Sequence, residues 1–176
     1  YFAGMDLTNL KLTRTDLTVN FDWGQGSPHP AIGQDSFSVR WTGEIEPVFS
    51  QTYTFYTTSD DGIRLWIDGR LIIDNWTDHA PTENVGTIDL AAGRKANVRL
   101  EYFENGGGAL VRLAWSSRSQ PRQFVPSTRL SSPVDPTFKL PAPLLRVESL
   151  PNGPMRLVID VETPANYHVE ASGDLR

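Results

Sequence analysis

The stretch Thr57-Thr58-Ser59-Asp60-Asp61-Gly62-Ile63-Arg64-Leu65-Trp66-Ile67-Asp68-Gly69 decides how the rest of this chain is read. Ahead of it, Tyr53, Phe55 and Thr57 share one face of an extended segment, with Thr52, Thr54 and Tyr56 opposite. Ile63, Leu65 and Ile67 resume the same period of two after the acidic pair. Asp68-Gly69 is the two-residue turn favoured in hairpins, and Leu71-Ile72-Ile73-Asp74 is its return arm. Two carboxylates and a glycine therefore sit where one strand ends and the next begins.

Working outward, the pattern holds in both directions. Phe37, Val39, Trp41, Gly43 and Ile45 alternate with Ser38, Arg40, Thr42, Glu44 and Glu46, the signature of a half-buried strand. After a polar loop from Trp76 to Asn84, Gly86 to Leu90 reads as extended and Ala92-Gly93 as a turn. Val98, Leu100 and Tyr102 line one face of another strand, Gly106-Gly107-Gly108 interrupts, and Leu110 to Trp115 closes the series. Upstream of Phe37 the signals are weaker: Leu10, Leu12, Leu17, Val19 and Phe21 alternate loosely, and Gly24 to Gly33 is a loop. Tyr1-Phe2 reads as the middle of a strand cut from something longer. No segment has a helical period, so an all-β antiparallel sandwich or barrel is expected.

Composition narrows the function classes. With 14 Gly, 13 Pro, five Trp, five Tyr and eight Phe, the chain suits short strands and tight turns. The absence of Cys excludes disulfides, thiolate zinc sites and thiol catalysis. A net charge of -5 without a basic cluster argues against a nucleic-acid partner. No apolar run approaches the roughly 18 residues of a membrane-spanning helix, and no stretch reads as a signal peptide. Residues 131–143 hold Pro133, Pro136, Pro141 and Pro143, a semi-rigid linker. Beyond it, Leu144 to Leu150, Met155 to Val161 and Tyr167 to Ala171 read as three strands. Three strands fall short of the usual seven, so 144–176 is expected to be a partial immunoglobulin-like or fibronectin-like segment.

Trp41-Thr42-Gly43, the aromatic strand running into Asp60-Asp61-Gly62, Leu65-Trp66-Ile67-Asp68-Gly69 and Ile73-Asp74-Asn75-Trp76 follow one another in order. Gly93, Leu100-Glu101-Tyr102 and Leu113-Ala114-Trp115 complete a set that resembles the PA14 domain. That family takes its name from a protective-antigen toxin component and occurs in bacterial glycosidases, adhesins and yeast flocculation lectins. The resemblance covers residues 1–130 and implies a β-sandwich or barrel. In its lectin members it also implies calcium-dependent binding of sugar hydroxyls.

The acidic pair has its own geometry. Neighbouring side chains of a trans strand point to opposite faces, so Asp60 and Asp61 converge on one ligand only if the peptide between them is cis. Taken alone, Asp-Asp-Gly also reads as a turn with solvated charges. The resemblance implies that Asp60 and Asp61 hold Ca2+, with further oxygens from the facing loop, Phe103 to Gly108. Either Glu104 or Asn105 fills the side-chain place there, and a glycine such as Gly107 offers its carbonyl. Asp60, Asp61, Asn105 and Phe103 would then meet the sugar, although no aromatic beyond Phe103 offers a stacking platform. Asp74, Asp78, His79 and Glu83 form a second polar cluster that ordinarily is solvated. Nothing singles out a glycosidase carboxylate pair, a Ser-x-Gly elbow or a phosphate-binding loop. His29, His79 and His168 fall in loops or in the second segment, so catalysis is not expected.

The expectation is a non-catalytic, calcium-dependent carbohydrate-binding module of a larger extracellular bacterial protein, secreted or at the cell surface. Its partners would be a glycan or cell-surface polysaccharide and the neighbouring domains of the parent chain. The alternative is a spacer or protein-contact module beside a catalytic or adhesive domain, with no ligand of its own.

Overall fold

The clean period-two stretches become strands in the computed structural model, which describes residues 1–133 and the strands Leu144–Ser149 and Met155–Asp160. In chain order the first unit holds β1 (Asn20–Gly24), β2 (Phe37–Ile45), β3 (Gln51–Asp60), β4 (Ile63–Ile67) and β5 (Arg70–Asn75). Next come β6 (Thr82–Leu90), β7 (Ala96–Glu104), β8 (Ala109–Ser117), β9 (Gln120–Phe124) and β10 (Leu130–Ser131), with one 3-10 turn at Ser127–Arg129. The β4–β5 hairpin turns at Asp68 and Gly69, whose φ of 47° and 76° are the left-handed pair such a turn needs.

These strands form two antiparallel sheets rather than a closed barrel. One runs β10-β2-β7-β4-β5; the other runs β1-β8-β3-β6, with β9 also on β8. The two short strands share one edge of β8: β1 takes its first half and β9 its second. β1 falls at the end of the loosely alternating stretch that includes Phe21, and β9 carries no alternation, because edge strands bury too little to need a clean one; Pro121 is tolerated only at such an edge. β6 starts at Thr82, inside the stretch that reads as loop, because Glu83 and the exposed Val85 break the apolar alternation there.

The inner faces supply the core. Phe37, Val39, Ile45, Ile63, Leu65, Ile67 and Leu100 from one sheet meet Tyr53, Phe55, Val111, Leu113 and Trp115 from the other, all of them buried. Tyr53 and Trp115 pack with ring centroids 5.0 Å apart. Trp41 is half-buried, with its indole N–H donated to Asp16 Oδ2 at 2.8 Å. Trp66 lies on the outer face under the Arg99 guanidinium, 4.6 Å from the ring centre.

Four of the connections between the sheets gather at one pole. Loops 25–36, 61–62, 76–81 and 105–108 each carry the chain from one sheet to the other. The register puts all of them at the same end, since Phe37 pairs with Glu104, Ile63 with Tyr102 and Asn75, Ser59 with Thr82, and Asp60 with Leu110.

The chain divides into two compact units, Tyr1–Pro133 and Val134–Arg176. In the second, β11 (Leu144–Ser149) and β12 (Met155–Asp160) form an antiparallel hairpin with Leu144 opposite Asp160. The expected third strand at Tyr167–Ala171 and most of the linker lie outside the described residues.

Where β5 passes β6 the sheets close tightly. A Cβ at Gly86 would stand 2.3 Å from the Ile72 carbonyl oxygen, which is backbone and cannot swing aside. Gly86→Ala is therefore expected to destabilise the domain by about 1–3 kcal/mol, read as a lowered urea midpoint with an unchanged slope.

Candidate cation site at the crossover end

Both carboxylate-bearing segments are products of the crossover geometry. β3 ends at Asp60 in one sheet and β4 begins at Ile63 in the other, so Asp60-Asp61-Gly62 makes the crossing in three residues. The Asp60–Asp61 peptide is cis, and both side chains reach the same space. Beside it β7 ends at Glu104 in the first sheet and β8 begins at Ala109 in the second. Gly62 is required by this closeness: a Cβ there would fall 2.0 Å from the Phe103 ring. The Phe103 amide donates to the Gly62 carbonyl at 3.0 Å, fastening one crossing to the other.

Asp60, Asp61 and Glu104 each offer a carboxylate oxygen within 4.8 Å of the others. Their surroundings differ. Asp61 is buried, and both its oxygens accept backbone amides, His79 N to Oδ1 at 2.8 Å and Asn105 N to Oδ2 at 2.9 Å. Asp60 is half-exposed, and its carbonyl accepts the Tyr102 hydroxyl at 2.5 Å. Glu104 is fully buried: Oε2 accepts the same hydroxyl at 3.0 Å, while Oε1 has no partner among the described residues. A single O–H serves two acceptors, so Glu104 is under-satisfied in a place where carboxylates normally find two or more donors.

Burial pushes the Glu104 carboxyl up to about 7; the Tyr102 hydrogen bond opposes this, and the charges of Asp61, Asp60 and Asp35 add to it. Burial first and the Asp61 charge second raise Asp60, with His79 acting the other way. Burial and Glu104 likewise hold the Tyr102 phenol well above its ordinary range. The donor set is three hard oxygen anions around a dry, proton-hungry position, which is the chemistry that suits calcium. Glu104 Oε1 is the buried orphan that such an ion would satisfy.

Of the residues singled out in the sequence, the structure brings together Asp60, Asp61 and Glu104. The side chains of Asn105 and Phe103, and Gly107, are placed differently. Asn105 turns its amide outward to Asp78 Oδ2 at 2.8 Å. Gly107, with φ of 107°, donates its amide to Asp35 Oδ1 at 3.3 Å, and Gly108 is the loop glycine lying beside Asp60. Phe103 is only 5% exposed and has the Trp76 ring edge-on against it at 4.8 Å, so it has no open face for a sugar. The second polar cluster comes apart: Asp74 pairs with Arg64 at 2.9 Å and Glu83 with Arg122, while Asp78 and His79 join the site. Asp35 also belongs at this end and carried no sequence signal. The Glu104-or-Asn105 ambiguity had one, because the alternation of Val98, Leu100 and Tyr102, carried two residues on, lands on Glu104.

Comparison with known proteins matches the PA14 domain to residues 1–128. Over 130 residues the chain is 46% identical to the anti-sigma-I factor RsgI3 of Acetivibrio thermocellus, covering 74% of this chain and 20% of that protein. A solved anti-sigma factor domain-containing protein from Clostridium clariflavum is 47% identical with a TM-score of 0.72, covering 80% of this chain and 48% of that one. The epithelial adhesin 6 A domain of Candida glabrata, solved in complex with Galb1-3GlcNAc, has a TM-score of 0.58 at 14% identity over 69% of each chain, a likeness of fold alone. The chain thus spans about a fifth of the curated relative and half of the solved one.

A carboxyl held near 7 when folded and near its ordinary 4.5 when unfolded makes folding take up a proton between those values. The contribution of Glu104 to the stability of the metal-free protein should therefore be fully present below about pH 4.5 and be lost as pH rises through 7. Urea unfolding in chelator at pH 5 and pH 7.5 is expected to show a loss of about 1–3 kcal/mol from this group. Glu104→Gln should remove most of that loss and be the more stable protein at the higher pH.

Proposed function

Because the chain belongs to the PA14 domain family, we propose that it is a non-catalytic, calcium-dependent carbohydrate-binding module of a larger protein. Asp60, Asp61 and Glu104 hold the ion in this reading, and sugar hydroxyls complete its oxygen shell. The observation that carries it is Glu104 Oε1, fully buried, unpartnered and grouped with two further carboxylates.

The three acids have separate tasks. Asp61, gripped by two amides, fixes one side of the ion. Glu104 closes it from the core side. Asp60, the most exposed of the three, accepts hydrogen bonds from hydroxyls of the bound sugar as well as contacting the ion. Such a site is shallow, so affinity per module is low and a parent protein gains strength from several copies or neighbouring domains. The identity to an anti-sigma-I factor supports a regulatory setting, in which glycan binding by this module is sensed by the rest of the chain. An extracellular location follows from that reading, since polysaccharide is met outside the cell.

A second reading, a protein-contact spacer without a ligand, draws on one observation. Phe103 is buried and the Trp76 ring has the Arg64 guanidinium 4.6 Å from its centre, so neither ring is free to stack on a sugar.

Thermal melts with calcium and with chelator separate these. Calcium at about 100 times its Kd should stabilise by about 2.7 kcal/mol, and Asp60→Ala/Asp61→Ala should abolish the gain. An unchanged melt sinks the calcium site. A calcium-bound protein silent on a glycan array, with and without chelator, keeps the ion and loses the sugar.

A further inference from the structure

Three hydrogen bonds at the crossover end close into a ring. His79 N donates to Asp61 Oδ1 at 2.8 Å, and Asn105 N donates to Asp61 Oδ2 at 2.9 Å. Asn105 Nδ2 donates in turn to Asp78 Oδ2 at 2.8 Å, and Asp78 immediately precedes His79. The circuit passes from Asp61 to His79, through Asp78 to Asn105, and back to Asp61. Two members, Asp78 and Asn105, are exposed and lie outside the carboxylate cluster.

We propose that the Asn105–Asp78 bridge is a positioning contact that locks the Asp61 carboxylate in its orientation toward the cation and so slows the ion's release. The proposal rests on the calcium reading of the site. A carboxylate is a broad two-fold rotor, and nothing in its own bonding fixes its plane. Here the plane is fixed by two amides on two separate loops, 76–81 and 105–108, so it holds only while those loops keep their spacing. The bridge ties the loops through the very residues, or their immediate neighbours, that donate the amides. Outer partners of metal ligands commonly change affinity by 10–100-fold; an exposed bridge belongs at the lower end of that range.

Asp78 could also act simply as one more negative charge near the ion, and the choice of variants separates the two. Asp78→Ala removes bridge and charge together. Asp78→Asn removes the charge but keeps an amide oxygen that accepts from Asn105 Nδ2. The pair Asp78→Asn/Asn105→Asp restores the bridge with its polarity reversed. Calcium release into chelator is followed by stopped flow, using the fluorescence of Trp76, which sits on the same loop against Phe103.

The expected result is that Asp78→Ala and Asn105→Ala each raise the release rate about tenfold, with little change in the binding rate. Asp78→Ala/Asn105→Ala should do no more than either alone, while Asp78→Asn and the reversed pair stay within about threefold of the natural protein. An unchanged release rate in Asp78→Ala, or an Asp78→Asn variant as fast as Asp78→Ala, overturns the proposal. A readout without calcium accompanies it: in chelator, amide hydrogen exchange at His79 and Asn105 should quicken in Asp78→Ala and not in Asp78→Asn. If the natural protein binds no calcium, the calcium reading has failed. The exchange comparison then decides the ring by itself, and equal exchange rates in the two variants overturn it.

Discussion

At one pole the chain steps from sheet to sheet four times, through the loops 25–36, 61–62, 76–81 and 105–108. At each step the backbone leaves its ladder, and amides that the sheets no longer pair need acceptors. Acidic side chains supply them. Asp61 takes the amides of His79 and Asn105, and Asp35 takes that of Gly107. The acids at this pole are thus part of how the loops are held, before any ligand is considered.

That solution leaves a surplus of negative charge. Burying a carboxylate is costly unless it is paired, and Glu104 has neither a cationic partner nor a donor for Oε1. The remaining relief is a shared proton or a shared cation. A divalent ion serves Asp60, Asp61 and Glu104 together, whereas a proton on Glu104 relieves one of them. Burial first, and then the charges of Asp61, Asp60 and Asp35, raise the Glu104 carboxyl to about 7, and in the calcium reading the same features favour a hard cation.

The strands were legible wherever one face is buried and the other wet, as in β2, whose range matches the alternation from Phe37 to Ile45 residue for residue. The acidic pair was legible because two adjacent charges between apolar strands have no place in a ladder. What stayed hidden is whatever depends on loops meeting in space. His79 reaches Asp61 across 18 positions of sequence and Asp78 reaches Asn105 across 27, and Asp35 nears the same pole from a loop with no pattern at all. Asn105 and Phe103 misled for a related reason. Their types suit a lectin loop, but register and the close approach of Gly62 turn one side chain outward and bury the other.

The inner faces of β3 and β7 grade from apolar to polar toward this pole. Tyr53 and Phe55 give way to Thr57 and Ser59, whose hydroxyls are buried without partners, and Leu100 gives way to Tyr102 and Glu104. The neighbouring strands keep Phe37, Ile63, Ala109 and Val111 buried at the same pole, so the polar burial on the inner faces there is confined to β3 and β7. In the calcium reading, an ion seated there would latch the loops of this pole together, and occupancy would reach the rest of the domain as a change in dynamics while its outline stays the same.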